Sequence, residues 1–425
     1  VPGFRPFLSA PILAATLLGT LSCVDHDEVD GLYVFDGASR TIMIWAKPEQ
    51  LLAAARKGKP APEPDRTLRS GALAGINLAM GGMTLDPSRK RLYLVTERGT
   101  VYVVPNPGEK RDDPMDKDKG KGKGKDADEI LSFKLKSAGD HERTGAPTFG
   151  QASVDPGTDV LYVMENGRDT ARIWHVANVS RIANGATVDS RGNTSRADED
   201  RRGIGVAAGP GHQFYALFGA GDRTDDGFGN GTEGPRLRLG EHKGDHPAFQ
   251  PRNGHRDHHL VAGDATLLDR SWRYGSLAYS RPHHCVYVLA GPRAGKAQPG
   301  ILVFNDSQFQ GSLDQAPARI LEKVPDGLTI LAHHAHTDWL AGAGTDRAGD
   351  PDEHRDPDRD RDRRDRDPDR DRERRRATSR TRKAKQPTGG AALYLWKSPS
   401  EGGEPVKLSP LAPGIAIRGL AFGND

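Results

Sequence analysis

A hairpin motif recurs along this chain, and it restricts the possible folds more than any other feature. Its clearest copy is Gly82-Met83-Thr84-Leu85-Asp86-Pro87, a tight stretch, then Leu92-Tyr93-Leu94-Val95. A second copy is Ala152-Ser153-Val154-Asp155-Pro156 followed by Leu161-Tyr162-Val163. Weaker copies pair Gly205 to Pro210 with Phe214-Tyr215-Ala216, Gly275 to Tyr279 with Val286-Tyr287-Val288, and Leu328 to Ala332 with Trp339. The sixth is split: Gly419 to Gly423 stands near the end of the sequence, and Leu32-Tyr33-Val34-Phe35 near its beginning. β-Branched and aromatic runs on either side of Asp-Pro and Gly-Pro signals read as paired strands around a turn.

Each hairpin is followed by more strands in the same order. After Tyr93 come the turn Thr96 to Gly99 and the strand Thr100 to Val104; after Tyr162 come Glu165 to Asp169 and the strand Ala171 to Val176. Ile130 to Phe133 and Ala318 to Leu321 are candidate fourth strands, and Pro48 to Arg56 reads as a short helix opened by proline. A four-stranded sheet with two apolar faces is marginal alone. Six of them arranged radially hide those faces and leave only short edges. The expected fold is therefore all-β, a six-bladed β-propeller closed by pairing of the N- and C-terminal strands. The aromatic column Tyr33, Tyr93, Tyr162, Tyr215, Tyr287 and Trp339 reads as packing between blades. A seven-bladed ring is the alternative, because Asp222 to Arg270 is long enough for a degenerate blade.

This repeat resembles the "G-x-x-x-D-P-x-x-x-x-L-Y-V" pattern of six-bladed propellers of the NHL and SMP-30/gluconolactonase kind. The resemblance covers most of residues 31–425. It implies a fold and a binding mouth on the central channel, built by loops leading into the inner strands and loops joining the second and third strands. For the SMP-30-like enzymes it further implies a divalent metal, held by acids and amides, that assists lactone hydrolysis. The residues of this chain on that mouth are Asp36, Glu97, Arg98, Glu165, Asn166 and Asp222. The family's separate metal residues find no one-to-one match, and Glu165-Asn166-Gly167 reads equally as a turn.

Residues 1–23 have the character of an export signal. Arg5 is basic, and Leu8 to Leu21 is an apolar run too short for a confident membrane span. Cys23 after Leu18-Gly19-Thr20-Leu21-Ser22 resembles a bacterial lipoprotein signal, in which the cysteine becomes the lipid-bearing first residue; the family prefers Leu where this chain has Thr20. The expected location is the bacterial cell envelope, in the periplasm or as an outer-membrane lipoprotein, with plain secretion as the alternative. Residues 24–30 read as an acidic tether. The other cysteine, Cys285, sits in an apolar strand pattern and reads as buried and inert.

Two charged inserts interrupt the propeller. Residues 107–127 have almost no apolar side chains to offset the entropy of ordering. The insert 346–390 carries 13 acidic residues against 12 arginines within 346–376. Near-alternating signs cancel locally, and the chain's net charge is only +3, so a specific nucleic-acid partner is not expected. Both inserts read as disordered. A monomer with a protein or small-molecule ligand at a propeller mouth is the expected form.

Histidines offer weak metal candidates: His242, His246, His255, His258 and His259 in one loop, with imidazole chemistry suited to zinc. Gly244 and Pro247 oppose the helix that would align His242 with His246. His283, His284, His333, His334 and His336 fall in hairpin turns and read as solvated. No cofactor is assigned, a divalent ion (Ca or Zn) being the one candidate, and no catalytic set stands out. The favoured function is an envelope-tethered binding or scaffolding module. The alternative is a metal-dependent lactone or ester hydrolase of SMP-30-like type.

Overall fold

Runs such as Leu92-Tyr93-Leu94-Val95 are apolar at consecutive positions, which suits a strand covered on both faces. The ring supplies that cover. The computed structural model describes residues 31–107, 130–137, 147–167, 171–196, 202–219, 235–243, 246–248, 260–261, 266–268, 272–292, 300–310, 314–325, 327–334, 337–345, 391–408 and 415–423. Their strands form six small antiparallel sheets arranged as a six-bladed β-propeller.

Counted from the axis outward, blade 1 is β26 (Ile417–Gly423), β1 (Gly31–Asp36), β2 (Thr41–Trp45) and β3 (Arg66–Leu68). Blade 2 is β4 (Leu78–Asp86), β5 (Arg91–Thr96), β6 (Thr100–Pro105) and β7 (Leu131–Lys136). Blade 3 is β8 (Thr148–Asp155), β9 (Val160–Asn166), β10 (Ala171–Ala177) and β12 (Thr194–Arg196), while β11 (Thr187–Asp189) lies parallel on β7. Blade 4 is β13 (Gly203–Ala208), β14 (Gln213–Phe218), β15 (Arg236–Lys243) and β16 (His246–Ala248), with β17 (Leu260–Val261) also on β15. Blade 5 is β18 (Trp272–Ser280), β19 (Cys285–Pro292), β20 (Gly300–Asn305) and β21 (Arg319–Leu321). Blade 6 is β22 (Leu328–His333), β23 (Trp339–Thr345), β24 (Ala391–Lys397) and β25 (Val406–Leu408).

Closure is made as the split motif anticipates. β26 pairs with β1 from Gly31 opposite Gly423 to Asp36 opposite Ile417. The strands β15, β16 and β17 all belong to blade 4, so the stretch weighed as a seventh blade contributes to the fourth.

Burial is greatest in the second strand of a blade and falls outward from it. β5 and β9 are buried at almost every position, whereas the outer strands β7 and β21 alternate or are largely exposed. The core is therefore a set of apolar layers, each shared by two blades. Tyr33, Tyr93, Tyr162, Tyr215 and Tyr287 have no exposed surface. Each faces a small residue across its hairpin: Ala421, Thr84, Ser153, Ala207 and Ala278 respectively. Blade 6 departs from the expected column. The register places Ala341, opposite Ala332, at the tyrosine position, and Trp339 lies two residues earlier. The helix α1 (Pro48–Arg56) buries Leu51 and Leu52 in the layer shared with blade 6, with Pro48 in its first turn. Among the described residues no helix is long and apolar enough to cross a membrane.

Candidate ligand site on the ring axis

Every inner strand is irregular near one level of the channel. Register shifts occur in β4, β8, β13, β18 and β22 where they meet the outgoing ends of their second strands, and between β26 and β1 at Phe35/Asp36. The largest is in β4. Leu78 pairs with Thr96 and Met83 with Leu94, so Ala79 to Gly82 stand opposite Val95 alone. A bulge re-aims the strand, and this one needs Gly81, whose φ of +71° suits glycine.

Gln151 completes a septum at this level. Its side chain crosses from β8 past blade 4 to β18, where its Nε2 donates to Leu277 O at 2.6 Å and its Oε1 accepts from Leu277 N at 3.1 Å. Gly205 of β13 makes room, because a Cβ there would collide with Gln151 Oε1. Met80 lies in the same bulge, 38% exposed, with its Sδ 3.6 Å from Thr329 Oγ1.

Between the septum and the hairpin turns lies a cavity of about 120 Å³. All six inner strands line it, chiefly through small side chains such as Ala152, Ala207, Ala278, Ala332 and Ala421. Its polar lining is Gln151, Thr84, Ser153, Tyr279, His333 and Arg281. Three of these are engaged elsewhere: Thr84 Oγ1 accepts from Val154 N at 3.1 Å, Ser153 Oγ accepts from Ala208 N at 2.9 Å, and Tyr279 Oη donates to Asp306 at 2.8 Å.

The rim of this cavity explains the Asp-Pro signature. Asp86 Oδ1 accepts from Arg89 N at 3.1 Å and Ser88 Oγ at 2.7 Å, and its Oδ2 pairs with the Arg89 guanidinium at 3.0 Å. Asp155 likewise accepts from Gly157 N at 3.0 Å and Thr158 Oγ1 at 2.7 Å. Such side-chain-to-backbone bonds stabilise the turn directly. Arg89 continues to Pro156 O at 2.6 Å, tying blade 2 to blade 3. Arg281 reaches across the rim from blade 5 to Asp155 of blade 3, while its side chain stays 34% exposed.

His333 contradicts its reading as a solvated turn residue. It ends β22, its side chain is 1% exposed, and its ring stacks on Tyr287 at 5.5 Å between centroids and 16° between planes. The equivalent residues in other blades are Leu85, Val154, Ala208, Tyr279 and Phe422, so the imidazole occupies an otherwise mostly apolar place in the layer. Neither ring nitrogen has a hydrogen-bond partner. Asp338 Oδ1 is 3.7 Å from Nε2, too far for a hydrogen bond. Burial therefore lowers the His333 pKa below its ordinary value, against the opposing pull of Asp338. His283, also beside Asp338 at 3.5 Å, and His284 are 37% and 70% exposed and lie on the rim as expected. Cys285 is buried, and burial pushes its thiol up to about 11.

Of the residues anticipated as a channel-mouth site, the described ones (Asp36, Glu97, Arg98, Glu165 and Asn166) stand at the opposite end of the inner strands, and none lines the cavity. Asp36 is buried and accepts from Ala38 N, Ser39 N, Ser39 Oγ and Ala416 N at 2.5–3.1 Å. It thereby fastens the turn of blade 1 to the chain leading into β26. Glu97 accepts from Asn77 Nδ2 at 2.7 Å, and Arg98 is exposed beside it. Glu165 is 1% exposed, with Oε1 taken by Ser137 Oγ at 2.6 Å and Oε2 by the Trp174 indole at 2.5 Å. Asn166 bonds both backbone groups of Gly203, at 3.0 and 2.7 Å, and so clamps blade 3 to blade 4. Asp222 lies outside the described residues, as do residues 1–30 with Cys23, nearly all of the insert 107–127, and the insert 346–390. His242 lies in β15 and His246 in β16, on the two arms of a hairpin. His255, His258 and His259 lie outside the described residues. Among the described residues no group of three His, Cys, Asp or Glu side chains is placed to hold a metal ion.

No protein-family model and no curated protein matches this chain. Solved structures resemble it at the level of overall shape. They include a chain of a nidogen/laminin complex, with TM-score 0.45 and 7% identity over 93% of this chain and 98% of the other. TolB from Acinetobacter baumannii gives TM-score 0.45 and 13% identity over 94% and 68%. A putative TolB from Agrobacterium tumefaciens gives 0.41 and 11% over 92% and 91%. At these identities the likeness concerns the fold alone, and the NHL and SMP-30 resemblance likewise extends no further than the propeller.

Proposed function

We propose that this chain is a non-catalytic binding or scaffolding propeller, exported to a bacterial envelope and held there by a lipid on Cys23. Its protein partner is received at the turn end of the ring axis. The observation that carries this reading is the axial cavity. At about 120 Å³ it is well below the ~300–1,000 Å³ of a pocket for a drug-sized ligand. It suits one protruding side chain or chain end of a partner that otherwise rests on the rim. Arg281 and the rim histidines offer polar contacts around that entrance, as expected at the edge of a protein interface.

The competing reading is a metal-dependent lactone or ester hydrolase at the opposite mouth. Glu165 and Asn166 weigh against it, because their acceptor oxygens are occupied by Ser137, Trp174 and Gly203. Site-specific photo-crosslinking in the native host tests the proposal, with a photoreactive phenylalanine analogue at position 283 on the rim or at position 98 on the opposite mouth. A discrete protein adduct from 283 and none from 98 is expected. Stoichiometric divalent metal with lactone turnover, both lost in Glu165→Gln, would establish the hydrolase instead.

A further inference from the structure

Two seams on the axis are closed by a hydroxyl, and the other four are not. Thr84 of blade 2 caps Val154 N of blade 3, and Ser153 of blade 3 caps Ala208 N of blade 4. In both cases the residue opposite the column tyrosine reaches the next blade's N–H, one residue nearer the turn. At the four remaining seams that capping position holds Ala207, Ala278, Ala332 or Ala421. Alanine has no acceptor, so the N–H groups of Tyr279, His333, Phe422 and Leu85 lack the equivalent cap.

Those N–H groups face the channel. In an antiparallel ladder, bonded and non-bonded pairs alternate. His334 N donates to Trp339 O at 3.0 Å, so the preceding His333 turns its N–H and C=O away from β23. The same alternation orients Leu85, Tyr279 and Phe422, and Val154 N and Ala208 N show it directly through their caps. Leu277, two residues before Tyr279, has both backbone groups engaged from the channel side by Gln151. Leu85, Tyr279, His333 and Phe422 all line the cavity. Arg281 lines it too, with one nitrogen on Asp155 and a third of its side chain exposed. The C=O groups of these residues share that orientation, but native proteins leave buried N–H groups unpaired more rarely than carbonyls, so it is these donors that call for a guest.

We propose that the axial cavity binds a carboxylate group, whose oxygens take the uncapped N–H groups of Leu85, Tyr279, His333 and Phe422 and the guanidinium of Arg281. The carboxylate comes from a partner's chain end or acidic side chain, or from a small carboxylic acid, and the proposal rests on the binding-module reading above. The fixed carboxylates of the rim leave room for one more. Asp86 and Asp155 are 0% and 1% exposed and are held by their own turns and by Arg89 and Arg281. Asp338 Oδ2 is held by Ser400, and its Oδ1 faces the seam between blades 5 and 6.

Calorimetric titration of the full chain with acetate, with N-acetyl-tetraglycine and with the C-terminal amide of that peptide tests this. Binding of the free carboxylates and not of the amide is expected. Acetate without the peptide marks a small acid as the source; the peptide marks a protein chain end. The variant Ala332→Ser/Ala421→Ser restores the caps found at Thr84 and Ser153. It should weaken carboxylate binding at least about tenfold while melting no lower than the parent chain. Equal binding of acid and amide, no binding up to about 10 mM, or an unaffected capped variant would overturn the proposal. If the crosslinked partner is still captured at position 283 in any of those cases, the binding-module reading survives and only the carboxylate chemistry fails.

Discussion

Gln151 is the most informative single residue to perturb. It ties β8 to β18 across the channel, skipping a blade, through one accepted and one donated bond. Gln151→Leu keeps much of the volume and leaves Leu277 N–H and C=O unpaired in a buried position. An unsatisfied buried backbone group costs about 1–3 kcal/mol, so the pair predicts a loss of about 2–4 kcal/mol after partial offset by the leucine's apolar burial. Urea unfolding measures it as a fall in midpoint at constant slope. Gln151→Glu adds a pH signature. The new carboxylate accepts from Leu277 N–H but offers nothing to Leu277 O once ionised, and burial raises its folded-state pKa above the unfolded value near 4.3. The folded chain then holds its proton to higher pH than the unfolded chain, so stability is greatest at acid pH and declines as pH rises through that window. A loss under about 0.5 kcal/mol for Gln151→Leu, or a pH-independent Gln151→Glu, would refute the septum as a structural element.

Three further outcomes are expected. The folded-state pKa of His333 is lowered, so its contribution is fully present above the unfolded value near 6.5 and is lost as pH falls toward the lowered one; thermal melts between pH 8 and 5 should show a shallower decline in His333→Leu than in the parent chain. Tyr162 Oη is buried without a hydrogen-bond partner, whereas Tyr215 Oη donates to Asp306 at 2.5 Å. Tyr162→Phe should therefore be neutral or slightly stabilising in denaturant titration, and Tyr215→Phe should cost about 1.5–3 kcal/mol. Asn166→Asp removes the donor to Gly203 O and should destabilise by about 1–3 kcal/mol, with hydrogen exchange accelerating first along β13.

Much of the architecture was legible because it is periodic. Tyr93, Tyr162 and Tyr287 stand at matched distances after Asp86, Asp155 and Ser280, and such spacing survives divergence when each unit must bury the same faces. Pro48 opened the helix where expected for the same local reason. Trp339 was misplaced by two residues because aromatic character alone does not settle strand register; the pairing of Ala332 with Ala341 does. Glu165 and Asn166 carry the chemistry of a metal ligand set. Whether their lone pairs are available depends on Ser137, Trp174 and Gly203, which only folding brings to them. The signals missed were faint: a Gly81-Gly82 pair inside a strand, and a position held by a hydroxyl residue at Thr84 and Ser153 and by alanine at Ala207, Ala278, Ala332 and Ala421.

Local pattern and chain-wide repetition thus sufficed for the strands, their turns, the number of blades and the splice of β26 onto β1, since each follows from short-range sterics and from the need to cover apolar faces. The location of the cavity was decided elsewhere. It depends on Gln151 meeting Leu277 and Arg281 meeting Asp155, each pair 126 residues apart in the chain. It depends also on which seams a hydroxyl happens to close. Contacts between non-adjacent blades carry no periodic trace, because nothing in one blade's own packing requires them; they come into being only when the ring sets six strand edges around one axis.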